Sequence, residues 1–261
     1  MKYGFIGCGN MGGSLAKALA RSTKNILLCD PIKAEELAAA LGCGFGSALE
    51  VVETCDRIFL GVKPNMLREA LAPLQEKMAE RKPLLISMAA GMELATVEKY
   101  AGSPLPIIRI MPNTPVSVGK GVIGYTCNEL VTEEMVAGVL EDMKYAGTWD
   151  CVAEELMDTV SALSGSGPAY MYHFVEVLCE GAVACGMTEE QALTYAICTM
   201  EGAAEMMRTS GQKPGPLRVA VCSPGGSTLA GLKALEEKGF REAVIACVQA
   251  AYNRNKELGK Q

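Results

Sequence analysis

The sequence predicts an α/β half built around a parallel sheet, followed by a half made only of helices. Three observations carry that prediction. Short β-rich apolar runs alternate with helical patterns up to about residue 152; the first run ends in a glycine-rich turn; and the β signature stops beyond Cys151. Alternation of this kind sets parallel strands side by side with helices on both faces. The expected division is 1–152 and 153–261, with no internal repeat or long linker between.

Residues 3–7 read as a buried strand, and the helix after it carries Met11, Leu15, Ala18 and Leu19 on one face. Ile26–Cys29 is the next strand, followed by a helix through Leu37 and Leu41. A third clear strand covers 57–62, with a helix expected from about 65 to 78. Residues 84–88, Ile107–Met111 and 122–125 are further apolar runs separated by Gly and Pro. In the second half, residues 168–185 keep Met171, Phe174, Val175, Leu178, Ala182 and Cys185 on a 3–4 spacing, and the other faces are also apolar. Such a helix expects burial on most sides. Thr188-Glu189-Glu190-Gln191 is a capping box opening another helix, and two more are expected at about 227–238 and 241–258. These helices are too few to hide their own apolar surface, so a second copy of the chain is expected to cover it as a dimer.

Composition removes several classes of function. With 24 basic and 30 acidic residues among 261, and neither half net positive, the chain is no platform for nucleic acid. Mean hydropathy is +0.18, yet no apolar run approaches a membrane span. Met1-Lys2 leads directly into the first strand, and the eleven cysteines lack C-x-x-C pairs, which reads as reduced thiols in a cytoplasmic protein. The single histidine, His173, argues against a histidine-bound metal site and against a Ser-His-Asp triad; it is expected as a packed or interface residue.

Gly7-Cys8-Gly9-Asn10-Met11-Gly12 is a complete G-x-G-x-x-G between a strand and a helix. In that setting glycines permit the tight turn and let backbone approach a pyrophosphate at the helix N-terminus. Asp30, ending the second strand, is placed to accept hydrogen bonds from an adenosine ribose, while Lys33 could instead meet a 2′-phosphate, so NADH and NADPH both stay open. The loops Val62-Lys63-Pro64, Ala89-Ala90-Gly91 and Met111-Pro112-Asn113-Thr114-Pro115 each end a strand, where open α/β sheets bind ligands; together they read as a rim around a nicotinamide. The half thus reads as a Rossmann-type dinucleotide-binding domain.

Two loops carry the second half. In Ser164-Gly165-Ser166-Gly167-Pro168, Pro168 suits a first helical position and the glycines allow close backbone approach. Ser223-Pro224-Gly225-Gly226-Ser227-Thr228 precedes a helix, and N–H groups of Gly226, Ser227 and Thr228 are expected to form a site for a carboxylate. The Ser227 side chain by itself reads as a helix cap, and the Thr228 hydroxyl as an adjustable donor or acceptor. Arg109 is either an ion-pair partner or a product contact.

Taken together, residues 5–12, 62–64, 87–91, 109–115, 165–170 and 223–228 resemble the pyrroline-5-carboxylate reductases, in family order and over nearly the whole chain. Two departures are Met92, where isoleucine is common, and Ser47-Ala48, in place of an asparagine often near the adenosine. The resemblance implies a Rossmann domain followed by an all-α dimerisation domain, with dimers often joined into a ring of five. It implies that the nicotinamide meets substrate between one subunit's loops and its partner's helices. Cofactor contacts would fall to Ile6, Gly7, Gly9, Asn10 and Met11, to Val62, Lys63 and Pro64, and to Ala89 and Asn113. Substrate would be held by Ser223, Gly225, Gly226, Ser227 and Thr228, with Gly167 and Pro168, and the Thr228 hydroxyl would face the ring nitrogen. NADPH is the expected cofactor, NADH the alternative.

That chemistry suits these residues, because hydride transfer to a protonated cyclic imine demands orientation more than a strong acid. A β-hydroxyacid dehydrogenase would need a catalytic lysine early in the second half, and no lysine lies between Asp150 and Arg208. A non-catalytic dinucleotide sensor would keep the glycine turn but would have no use for the two later loops.

Overall fold

The structure is a computed structural model and describes residues 1–258. Eight strands form one sheet in the order β3-β2-β1-β4-β5-β6-β7-β8. They are β1 (Tyr3–Ile6), β2 (Ile26–Cys29), β3 (Gly44–Phe45), β4 (Arg57–Leu60), β5 (Leu84–Ser87), β6 (Ile107–Met111), β7 (Gly121–Cys127) and β8 (Gly147–Cys151). The helices of this region are α1 (Asn10–Leu19), α2 (Ala34–Leu41), α3 (Ala48–Thr54), α4 (Leu67–Leu71), α5 (Gln75–Arg81), α6 (Leu94–Ala101), α7 (Glu133–Asp142) and α8 (Met157–Val160).

Side-chain alternation along the strands explains the two helical layers. Phe5, Phe59, Ile86, Ile108 and Ile110 enter one core with Leu15 and Leu19, and Phe5 stacks on Phe59 with centroids 4.6 Å apart. Ile6, Ile58, Leu60, Leu85 and Ile107 enter the other, with Val51, Leu67, Leu71 and Val97. Strands buried on both faces read as near-continuous apolar runs, the pattern seen in the sequence.

The sheet departs from the all-parallel expectation at one place: β7 runs antiparallel to β6, and β8 is parallel to β7. The connection between β6 and β7 is a short 3-10 turn at Thr114–Val118, too short for a crossover. The helix expected at about 65–78 is instead broken into 3-10 and α segments around Pro73, which removes a backbone donor. Ser47, one of the departures from the family pattern, caps α3 by accepting from Glu50 N–H in a full capping box.

The chain packs as two compact units, one of residues 1–168 with the chain from Ala251 onward, the other Ala169–Ala250. The second contains helices only: α9 (Gly167–Ala184), α10 (Glu189–Thr209), α11 (Pro214–Ala220) and α12 (Ser227–Glu237), with α13 (Phe240–Leu258) reaching beyond it. Thr188 caps α10 in the capping box read from the sequence. Among residues 169–250 only Ala192 is buried in the single chain. Tyr172, Leu178 and Tyr195 stand 62%, 45% and 64% exposed.

Two sequence expectations change here. Ser164 and Gly165 are not in a loop: Ser161–Gly165 is a π-helical turn between α8 and α9, and Pro168 is the second residue of α9. His173, expected as a packed or interface residue, is not packed within the single chain: it is 77% exposed, with Nδ1 3.2 Å from Glu176, which leaves the interface reading. Among the described residues no helix is long and apolar enough to cross a membrane, and no cluster of His, Cys, Asp or Glu could hold a metal.

Candidate active site

The chain runs from β1 to β2 and β3 on one side and then returns to β4 on the other, so the sheet reverses between β1 and β4. That reversal opens a crevice beyond the carboxyl ends of the strands, where such sheets bind ligands. The glycine turn fills its floor. Gly7 has φ +97°, and a Cβ there would lie 2.6 Å from Gly61 C and Val62 N. A Cβ on Gly12 or on Gly61 would overlap the Gly7 carbonyl oxygen. Three backbones therefore touch at the switch point, and Gly61 is a member that the sequence reading placed only inside a strand.

Gly9 is different, since a Cβ there would meet nothing within 4 Å. It is the N-cap of α1, and no side chain among the described residues caps the helix. The turn presents bare helix N–H groups and open space above them, as a pyrophosphate requires. Beside it a groove of about 440 Å³ is lined by Gly9, Asn10, Ser14, Lys17, Lys33 and Glu36 among others. Lys33 Nζ lies 3.5 Å from Asn10 Oδ1 there. The donors, the bare helix end and the two lysines fit an anionic dinucleotide.

Asp30 has a second task beyond the ribose contact expected of it. One carboxylate oxygen accepts from Cys8 N–H at 2.8 Å; the other accepts from Ile32 and Lys33 N–H at 3.0 and 2.9 Å. Burial alone pushes this carboxyl up, but the N–H groups of Cys8, Lys33 and Ile32 outweigh it and hold the group below the usual carboxylate range. Burial, followed by the Asp30 charge, pushes the neighbouring Cys8 thiol up to about 12, so it stays protonated.

The three rim loops follow neighbouring strands. Lys63 and Pro64 come after β4, Ala89 after β5 and Asn113 after β6, all at carboxyl ends. Asn113 is 7% exposed, and both ends of its amide are engaged with backbone. Its Oδ1 accepts from Val122 N–H at 2.9 Å and its Nδ2 donates to Ser164 O at 2.9 Å. Arg109 resolves as an ion-pair partner: buried, with Nη1 3.0 Å from Glu154 Oε1, which also accepts from Leu94 N–H at the start of α6. Glu154 escaped the sequence reading because nothing in its surroundings marks it.

In the helical unit, Ser223-Pro224-Gly225-Gly226 forms a tight turn with Gly225 at φ +70°, closed by Gly226 N–H donating to Ser223 O at 3.0 Å. This corrects two expectations. Gly226 N–H is consumed by the turn, leaving Ser227 and Thr228 as the first bare donors of α12. Ser227 is not the cap either; Gly226 is, and no side chain among the described residues caps the helix. The 11-residue α12 therefore keeps an open N-terminus with the Thr228 hydroxyl in its first turn.

A glycine cradle at the switch point of a Rossmann-type sheet, followed by a helical second half, defines the chain by class as a dinucleotide-binding protein. Residues 154–258 match the family model described as pyrroline-5-carboxylate reductase dimerisation, and residues 2–91 match NADP oxidoreductase, coenzyme F420-dependent. The pyrroline-5-carboxylate reductase of Escherichia coli is 38% identical over 268 residues, covering 99% of this chain and 98% of the relative. That of Aquifex aeolicus is 34% identical over 262 residues, covering 99% and 97%. A crystal structure of Plasmodium falciparum pyrroline carboxylate reductase with NADP bound superposes at TM-score 0.90, with 32% identity and 99% and 98% coverage. The enzyme from Coxiella burnetii gives TM-score 0.90 at 33% identity, covering 98% of each chain. The chain belongs to the pyrroline-5-carboxylate reductase family.

Proposed function

We propose that this chain reduces the C=N bond of 1-pyrroline-5-carboxylate to give L-proline, the last step of proline biosynthesis, with NADPH as hydride donor. The observation that carries the reading is the presence in one chain of two helix ends without side-chain caps, α1 behind the Gly7–Gly12 turn and α12 behind the Ser223–Gly226 turn. One suits a pyrophosphate and the other a carboxylate.

The nicotinamide, when bound, supplies the hydride. Gly7, Gly9, Asn10 and Met11 hold the dinucleotide backbone, with Ile6 beneath them. The loops at Val62, Lys63 and Pro64 and at Ala89 fix the rim. Lys33 is the cation available for a 2′-phosphate, and Asp30, committed to backbone, acts by shaping the turn. Ser227 and Thr228 N–H groups grip the substrate carboxylate, and the Thr228 hydroxyl orients the imine nitrogen and then the amine. Ser223 and Gly225 shape this turn, while Gly167 and Pro168 supply a second backbone surface to the ring. One hydride at carbon and one proton at nitrogen complete the balance, so no metal is required by the reaction.

Residues 1–152 form the cofactor half and 153–261 the substrate and dimerisation half. The exposed apolar faces of α9 and α10 support a homodimer, and dimers are expected to assemble further into a ring of five. The cytoplasm is the expected location. Initial rates followed at about 340 nm, the reduced nicotinamide band, test the activity with NADPH and NADH side by side. Oxidation dependent on pyrroline-5-carboxylate and faster with NADPH is expected. No oxidation with either cofactor contradicts the reading and favours a dinucleotide sensor.

A further inference from the structure

Pro168 creates a problem that the chain solves from a distance. In an α-helix the carbonyl of residue 164 accepts from the N–H of residue 168, and proline has none. The helix around it widens into the π turn Ser161–Gly165, in which Ser166 N–H reaches back to Ser161 O at 2.9 Å. Turns of this kind interrupt a helix at some cost in hydrogen bonding and gather at functional sites. The Ser164 carbonyl receives its donor from Asn113 Nδ2 at 2.9 Å, across 51 residues of sequence.

Asn113 stands where β6 leaves the sheet. In the β6–β7 ladder Met111 faces Gly124 and Ile110 faces Tyr125, so residue 113 would face Val122 were the ladder to continue. It does not continue, because the Asn113 carbonyl turns to Val116 N–H at 3.2 Å in the 3-10 turn. The side-chain Oδ1 takes over the missing place and accepts from Val122 N–H at 2.9 Å. One buried amide thus finishes the sheet with its oxygen and supplies a proline-deprived carbonyl with its nitrogen.

We infer that Asn113 is a positioning residue whose side chain, tied to backbone at both ends, locks Gly165–Pro168 to the carboxyl end of β6 and sets substrate placement, in place of the cofactor contact that the family resemblance implies for it. The inference rests on the proposed function for the substrate role of Gly167 and Pro168. The geometry of the tie itself stands apart from it. With Oδ1 held by Val122, the Asn113 side chain has one Nδ2–H left beyond the bond to Ser164.

Asn113→Asp keeps an acceptor for Val122 and replaces the donor with an oxygen that repels Ser164 O. The variant is expected to lose about tenfold or more in kcat/KM for the imine, with the Kd for NADPH, read by nicotinamide fluorescence, unchanged within about twofold. Exchange of the Ser166 amide hydrogen is expected to accelerate by about tenfold or more as the π turn loosens. Should Asn113→Asp not fold, Asn113→Ser, too short to span to Ser164, takes its place with the same expectations. Adding Pro168→Ala restores a helical N–H, so the exchange penalty of the Asn113 change is expected to shrink to about threefold or less in that background. Equal loss of NADPH affinity, wild-type kcat/KM, or an unchanged Ser166 exchange rate would each overturn the inference. If wild-type protein reduces no imine, the proposed function fails, whereas the exchange measurement still decides whether the tie exists.

Discussion

Thr228 is the residue proposed for chemistry at one turn, whereas Asp30 clips the backbone of the other. Thr228 carries the one hydroxyl in the first turn of α12 besides that of Ser227, and it lies open to solvent in the single chain. Replacing it with alanine keeps the helix end and removes the group proposed to orient the imine. A fall of about tenfold or more in kcat/KM is expected, with NADPH affinity retained; unchanged steady-state kinetics would remove that role. Asp30 makes a prediction about pH. Its folded pKa lies below the unfolded value near 3.9, so its contribution is complete above about pH 4 and is lost as pH falls through the folded pKa. Asp30→Asn, which offers a single acceptor oxygen, is expected to cost about 1–3 kcal/mol in urea unfolding at pH 6 and progressively less below pH 4. A deficit constant with pH would contradict the ionised clip.

At the scale of elements, the glycine contact at the switch point is the joint that the cofactor half depends on. Gly61→Ala places a Cβ against the Gly7 carbonyl, which is backbone and has nowhere to retreat. The variant is expected to lose about 1–3 kcal/mol of stability together with dinucleotide affinity, and calorimetry and fluorescence titration check the two losses. Wild-type values for both would show that the turn has slack. The glycine fingerprint was legible in sequence because spacing alone defines it. Gly61 was not, since its need comes from β4 lying beside β1, a fact of topology. The turn at 161–165 was not legible for a related reason: Ser164 and Gly165 look like loop, and the side chain that donates to the Ser164 carbonyl, Asn113, is 51 residues away. Likewise Gly226 and Ser227 exchange roles because a backbone bond within the turn, invisible in composition, decides which N–H stays bare.

For the whole molecule, strand–helix alternation was enough to read the sheet and the helical second half, because burial on both faces writes itself into apolar runs. The antiparallel β7 was not legible, as a connection's length, rather than strand composition, sets its direction. The helical unit leaves Tyr172, Leu178 and Tyr195 exposed, and large exposed apolar areas mark contact with a partner. Sedimentation at micromolar concentration is expected to give a dimer or a multiple of it, and Leu178→Glu with Tyr195→Glu to lower that mass and the Tm together. A monomer from the unaltered chain would contradict the dimer.

Direct hydride transfer to an imine carbon is tested without intermediaries by following an isotope. With NADPH carrying deuterium at the transferable C4 position and unlabelled pyrroline-5-carboxylate, the expected product is L-proline with one deuterium on Cδ, the former imine carbon, and none on Cα. Proline formed without the label, or cofactor oxidised with no labelled proline, would contradict it.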